Sequence, residues 1–223
     1  MIHSSNEKKT PAPNLQVHPP DSCPGRFQVS LVGGGDDNLI LTGFDGQWRE
    51  GPGRDFFNTV QAELGDLPFL VEDLGFLDER IASLRDHFDF PGMRVPQYAD
   101  WCDGGHMYIP MNYPEASVGY TSTHDTDTVV GYYNDLGDRQ RDCLHHNLGT
   151  DGEGIEWDLI EAVWNSNAVI AMTTMQDILG LGSDSRFNVP GTATGNWRWR
   201  VTEGGFDDEI ALELRLVTDR TIR

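Results

Sequence analysis

The sequence predicts an α/β fold built on a parallel sheet. Short continuous apolar runs, the mark of strands buried on both faces, alternate with segments of helical periodicity. Two of those runs lead into acidic residues: Pro68-Phe69-Leu70-Val71 into Glu72, and the run at 118–123 into His124 and Asp125. Carboxylates just past successive parallel strands converge on one rim, because side chains at the strand ends face a common space. Two carboxylates at one rim are the minimum equipment for glycoside chemistry.

Taken in order, the first stretch to about Asp45 matches no packed element. Pro11, Pro13, Pro19, Pro20 and Pro24 break it into a loose arm. A strand-like segment at 27–32 runs into Gly33-Gly34-Gly35. Consecutive glycines without a following helical pattern read as a flexible turn, since a nucleotide loop spaces its glycines as G-x-G-x-x-G. From Gly46 the register is regular. Gly51-Pro52-Gly53 precedes a helix with Phe56, Val60 and Leu64 on one face, closed by Gly65. After the strand at 69–71, a second helix sets Leu77, Ile81, Leu84 and Phe88 on one stripe. Pro91-Gly92 opens a short strand around Met93-Arg94-Val95, and the strand at 118–123 follows. Beyond a polar stretch, a helix carrying Ile155, Leu159, Ile160, Val163 and Trp164 feeds the apolar run 169–174, which ends at Gln176-Asp177. The expectation is four parallel strands with helices between them.

Composition narrows the function. A chain of 223 residues suits one domain with a substantial core. Asp plus Glu number 36 against 16 Lys plus Arg, a formal charge of −20, and Lys8 and Lys9 are the only lysines. Such an excess argues against nucleic acid or an anionic membrane as partner. Disorder is the common correlate of high net charge, but 38% hydrophobic content and six tryptophans speak for a folded core. The acidic, lysine-poor surface reads as halophilic, with counter-ions screening self-repulsion and low salt destabilising the fold. Cys23, Cys102 and Cys143 are odd in number and far apart, so neither a disulfide framework nor a CxxC metal motif is expected. The first residues show no basic-then-apolar signal and no apolar run is long enough to span a bilayer, which reads as a soluble, cytoplasmic chain.

Six motifs then make a family resemblance: Gly51-Pro52-Gly53; Val71-Glu72-Asp73-Leu74-Gly75; Phe90-Pro91-Gly92-Met93; Thr123-His124-Asp125-Thr126-Asp127-Thr128; Gln176-Asp177-Ile178-Leu179-Gly180-Leu181-Gly182; and Arg186-Phe187-Asn188-Val189-Pro190-Gly191 with Gly195-Asn196-Trp197. In this order, across 46–200, they resemble the C-terminal half of the 4-α-glucanotransferases, also called amylomaltases or disproportionating enzymes, of the α-amylase clan. The resemblance implies half of a (β/α)8 barrel in 46–223, after a non-matching arm at 1–45. It also implies transfer of α-1,4-glucan segments between malto-oligosaccharides by a retaining double displacement, without metal or organic cofactor.

Carried over, Glu72 resembles the general acid/base, a carboxyl that must hold a proton at working pH and so needs a raised pKa, to which its apolar strand flank is expected to contribute. A carboxylate at the start of a helix is the plain alternative, and it suits Asp73 better. Asp125 resembles the family's third carboxylate, which grips the glucosyl ring and favours its distortion, with His124 bonding the same sugar. An Asx-type turn, a packed histidine or a His-Asp-Thr-Asp metal site are the alternatives there. Asp127, Gln176, Asp177, Arg186 and Asn188 fall in the glucan groove or its support, and for Arg186 a structural ion pair competes with sugar contact. Trp197 and Trp199 read as sugar-stacking or core residues, core being favoured for Trp199.

One departure is large. The family's nucleophilic aspartate sits in Asp-His-Phe-Arg-Gly, one strand before the acid/base. Here Asp86-His87-Phe88 continues as Asp89 and follows Glu72 on a helical stripe, a coincidence of letters. The expectation is therefore a chain inactive by itself. It would be a remnant, a non-catalytic glucan binder, or one half completed by an N-terminal half or by self-association, because a half barrel leaves two sheet edges open.

Overall fold

The computed structural model describes residues 27–28, 48–49, 51–74, 79–205 and 207–221. The chain divides into two compact units, Met1–Leu67 with Gly75–Leu84, and Pro68–Leu74 with Arg85–Arg223. In the first, β1 (Phe27–Gln28) pairs antiparallel with β2 (Trp48–Arg49), and α1 spans Arg54–Leu64. Most of the expected arm, the triple-glycine turn and Leu77 lie outside the described residues. The helix over 54–64 forms as expected, but its apolar stripe is not buried. Leu64 is 67% exposed, and no residue of α1 is buried. Periodicity makes a stripe amphipathic; only a packing partner makes it core. α2 (Glu79–His87) crosses the boundary between the units.

The second unit is α/β. Strands β3 (Gly92–Arg94), β4 (Ser117–Tyr120) and β5 (Ile170–Met172) form a parallel sheet in that order, with Met93 opposite Val118 and Val118 opposite Ile170. Val71 adds one parallel bridge to Gly92. The four expected runs thus lie side by side, three as strands and the first as a single bridge. The strands are shorter than the apolar runs because the chain turns immediately after each pairing.

Between β4 and β5 come α3 (Val129–Asp135), α4 (Asp138–Leu148) and α5 (Ile155–Trp164), and after β5 come α6 (Met175–Ile178) and α7 (Asp208–Arg220). α5 is apolar on two sides and joins two core clusters. Ile155 and Leu159 pack with Trp101, Ile109, Val129 and Leu144, whereas Ile160 packs with Ile178 and Val217. Full burial of each such side chain contributes about 1.5–3 kcal/mol. The polar stretch before α5 holds two helices that the sequence did not announce. α4 buries Leu144 alone, so it has no stripe to read. α3 has seven residues and starts at a Thr128 cap that accepts from Gly131 N at 3.1 Å.

The expectation for the cysteines is corrected: Cys102 and Cys143 are bonded, with Cα atoms 5.2 Å apart across a separation of 41 residues. α4 folds back on the segment after β3, so that Leu144 shares a core with Trp101, and the two sulfurs meet beside that core. Spacing along the chain carries no trace of this. Among the described residues, no helix is long and apolar enough to cross a membrane.

Candidate active site

The Glu72 segment is set by its neighbour. Asp73 is buried and accepts from Met93 N at 2.6 Å, from Arg94 Nη1 at 3.2 and 3.0 Å, and from Arg85 Nη1 at 2.5 Å. It is therefore a buried clamp between the Val71 bridge and β3, not the helix-start carboxylate that the sequence favoured. Gly92 makes room for it, since a Cβ there would stand 2.3 Å from Asp73 Oδ2. Glu72 itself is exposed, and so is Leu70, part of the apolar flank expected around it.

Asp125 lies in a tight turn after β4. Asp125 N and Thr126 N both donate to Thr123 Oγ1, and Thr123 N donates to Thr126 Oγ1. The Asp125 carboxylate accepts from Asn188 Nδ2 at 2.5 Å on one oxygen and lies 3.1 Å from His124 Nε2 on the other. Its backbone carbonyl accepts from Arg186 Nη2 at 3.1 Å. The His124 side chain is 54% exposed, which is not the packed histidine of the plain alternative. Among the described residues no three His, Cys, Asp or Glu side chains gather as metal ligands.

The remaining candidates sort by depth. Asp127 accepts from Ser183 Oγ at 2.8 Å and from Thr128 N at 2.7 Å, with Arg186 Nη1 at 3.6 Å as its ion pair. Arg186 thus combines a structural ion pair with a hold on the Asp125 backbone. Asp177 is fully buried. Its Oδ2 accepts from Thr121 Oγ1 at 2.6 Å and Ser122 Oγ at 2.5 Å, and its Oδ1 accepts from Val129 N at 2.8 Å. It ties the end of β4 to the start of α3 from beneath the Asp125 turn. Gln176, also buried, donates to Ser185 O at 3.2 Å.

Tyr98 is the residue that sequence reasoning missed. It follows β3 much as Glu72 follows Val71 and Asp125 follows β4, and that placement was its only available signal. It is 43% exposed. Its phenol is pushed above the ordinary tyrosine range first by burial, then by the carboxylates of Asp125 and Glu72, with Arg186 opposing. Burial and then Glu72 push Tyr120 the same way. Glu72, Asp125 and Arg186 therefore act on one phenol, at the carboxyl end of one parallel sheet.

The family profile for 4-alpha-glucanotransferase matches residues 40–205, most of the chain. The chain belongs to the 4-alpha-glucanotransferase family. It is 41% identical over 181 residues to the 4-alpha-glucanotransferase of Synechocystis sp., covering 80% of this chain and 36% of that protein. To the Thermus thermophilus 4-alpha-glucanotransferase it is 36% identical over 191 residues, covering 82% of this chain and 38% of that protein. Among solved structures it resembles the Streptococcus agalactiae amylomaltase in complex with acarbose, with a TM-score of 0.74, 31% identity, and coverage of 79% of this chain and 36% of that one. A Corynebacterium glutamicum amylomaltase, TM-score 0.52 and 14% identity over 71% of this chain and 30% of that one, bears on the fold alone. The chain thus spans little more than a third of the relatives it matches.

Proposed function

We propose that this chain is the acid/base and glucan-holding part of a 4-α-glucanotransferase site, on half of a (β/α)8 barrel. Glu72 acts as the general acid/base. Asp125 holds the glucosyl ring through its hydroxyls, and His124 bonds the same sugar. Asn188 and Arg186 fix Asp125, Asp127 and Asp177 hold the segments on either side of its turn, and Gln176 holds the 183–185 segment that bonds Asp127. The observation that carries the reading is the placement of Tyr98 just past β3, the strand that both the Val71 segment and β4 flank, with a phenol that Asp125 and Glu72 push upward. Glu72 and Asp125, past the two segments that flank β3 in the parallel sheet, then share one rim, as glycoside chemistry requires.

A retaining displacement also needs a nucleophilic carboxylate about 5–5.5 Å from the acid/base. No Asp-His-Phe-Arg-Gly occurs in the sequence, and Asp86 and His87 lie in α2, where Asp86 is ion-paired with Arg85. The chain alone therefore binds malto-oligosaccharides without turning them over, and a complementary N-terminal half completes the barrel and the chemistry. The exposed apolar residues Val169, Ile170 and Met172 around β5 support an open sheet edge.

The test is incubation with maltotriose. The lone chain releases no glucose, and transfer appears when the separately expressed first part of a family member is added. Glu72→Gln keeps the shape but cannot cycle a proton, and lowers the restored rate by about 10²–10⁴-fold. Disproportionation by the lone chain would overturn the assignment of a missing nucleophile. The acidic composition supports a high-salt setting, read out as circular-dichroism signal gained while potassium chloride rises to molar levels; full signal in dilute buffer removes that part.

A further inference from the structure

Two non-glycine residues among those described have positive φ, and one is a tryptophan: Trp197, at 62°. A bulky side chain rarely adopts that conformation, and where it persists the surroundings enforce it. Here the loop laces itself. Trp197 N donates to Phe187 O at 2.6 Å, Asn196 Oδ1 accepts from Val189 N at 3.0 Å, and Asn196 Nδ2 donates to Thr192 O at 3.0 Å. The outcome is an indole left 56% exposed, its ring 5.2 Å from that of His124. The same loop supplies Asn188, which holds Asp125. Trp199, by contrast, is half-buried and edge-on to Phe187. A tryptophan that serves the core is normally buried in relaxed backbone.

We infer that Trp197 is a stacking platform for the glucosyl unit next to the one that His124 and Asp125 hold, an inference that rests on the glucan reading of the site. A pyranose ring presents C–H groups on its faces and hydroxyls around its edge. An exposed indole packs against the face, while Asp125 and His124 take the edge hydroxyls of the neighbouring unit. This combination of one flat apolar surface with a few fixed polar groups is how small-ligand sites set orientation. The loop ties both parts together, since Asn188 and Trp197 are held by the same set of turn bonds.

The experiment is calorimetric titration of the full chain with maltotriose, alongside thermal unfolding, for the wild type, Trp197→Gly, Trp197→Phe and Asp125→Ala. Glycine adopts the positive φ without strain, so Trp197→Gly leaves the unfolding midpoint unchanged or raised. Its maltotriose affinity falls about tenfold or more, which corresponds to about 1.4 kcal/mol. Trp197→Phe keeps part of the affinity and loses the ligand-induced change in tryptophan fluorescence. If wild type and Trp197→Gly bind equally while Asp125→Ala loses binding, the platform is overturned and the glucan site stands. If Trp197→Gly loses stability together with affinity, the residue is structural and the inference fails. If the wild type binds no maltotriose, the glucan reading falls and the platform with it.

Discussion

Asn188 donates its side-chain amide to Asp125 across 63 residues of sequence, occupying one carboxylate oxygen and leaving the other beside His124. A neutral donor fixes the direction of the carboxylate without cancelling its charge. An arginine in that place would neutralise it, and the nearby Arg186 is directed to the Asp125 backbone and to Asp127. The geometry thus presents a charged carboxylate with one oxygen anchored.

Asn188→Ala removes a hydrogen bond to a charged acceptor, a loss of about 1.5–3 kcal/mol. Asn188→Asp does more, because it sets carboxylate against carboxylate. The expected order of maltotriose affinity is wild type, then Ala, then Asp, measured by calorimetry at constant salt. An Asp variant that binds as well as the wild type would show that Asp125 does not hold the ligand.

Asp177 separates support from contact. All three of its side-chain hydrogen bonds are buried, so Asp177→Ala strands the Val129 N–H and leaves the Thr121 and Ser122 hydroxyls with only Thr173 and Thr174 as partners. The expected cost is about 2–5 kcal/mol in urea unfolding. Asp177→Asn costs less, because its amide oxygen can face Val129 N while both hydroxyls turn to accept. Unchanged stability with lost glucan affinity in the Ala variant would instead make Asp177 a sugar ligand.

The disulfide gives a third test. Cys102 and Cys143 are bonded, so reduction raises the titrating thiols of the chain by two. Closing a loop with a separation of 41 residues removes unfolded-chain entropy worth about 4 kcal/mol. Reduction, or Cys143→Ser, lowers unfolding stability by about that amount. Three titrating thiols without reductant would remove the bond.

How far the sequence told this in advance follows from what each feature depends on. The run that became β4 was legible because a buried strand is apolar, whereas the run that became β5 reads the same way although Ile170 and Met172 stay exposed. α5 was legible because its apolar residues serve two cores. α4 was not, because it buries one leucine and shows no stripe. Glu72, His124, Asp125 and Asn188 became candidates through motif order. Motif order could not reveal that Asp177 works from underneath, nor that Asp73 clamps Arg85 and Arg94, since both depend on which groups meet across the fold. Tyr98 carries no motif; only its position past β3 marks it.

Tyr132 predicts the alkaline limit of this unit. Its hydroxyl accepts from Trp101 Nε1 at 2.8 Å, and burial, partly offset by that bond, pushes its phenol from 10.0 up to about 12. The folded state therefore keeps its proton at pH values where the unfolded chain has lost it. The contribution to stability is full below pH 10 and disappears as pH rises to about 12, roughly 3 kcal/mol at 1.36 kcal/mol per unit. Burial raises Tyr113 in the same direction, which deepens the fall. Urea unfolding at a series of pH values from neutral to about 12 should show stability falling above pH 10. Tyr132→Phe should be less stable at neutral pH by about 1–3 kcal/mol, because the Trp101 indole N–H is left buried without an acceptor. It should also show a shallower alkaline slope; an unchanged slope in that variant would place the titrating group elsewhere.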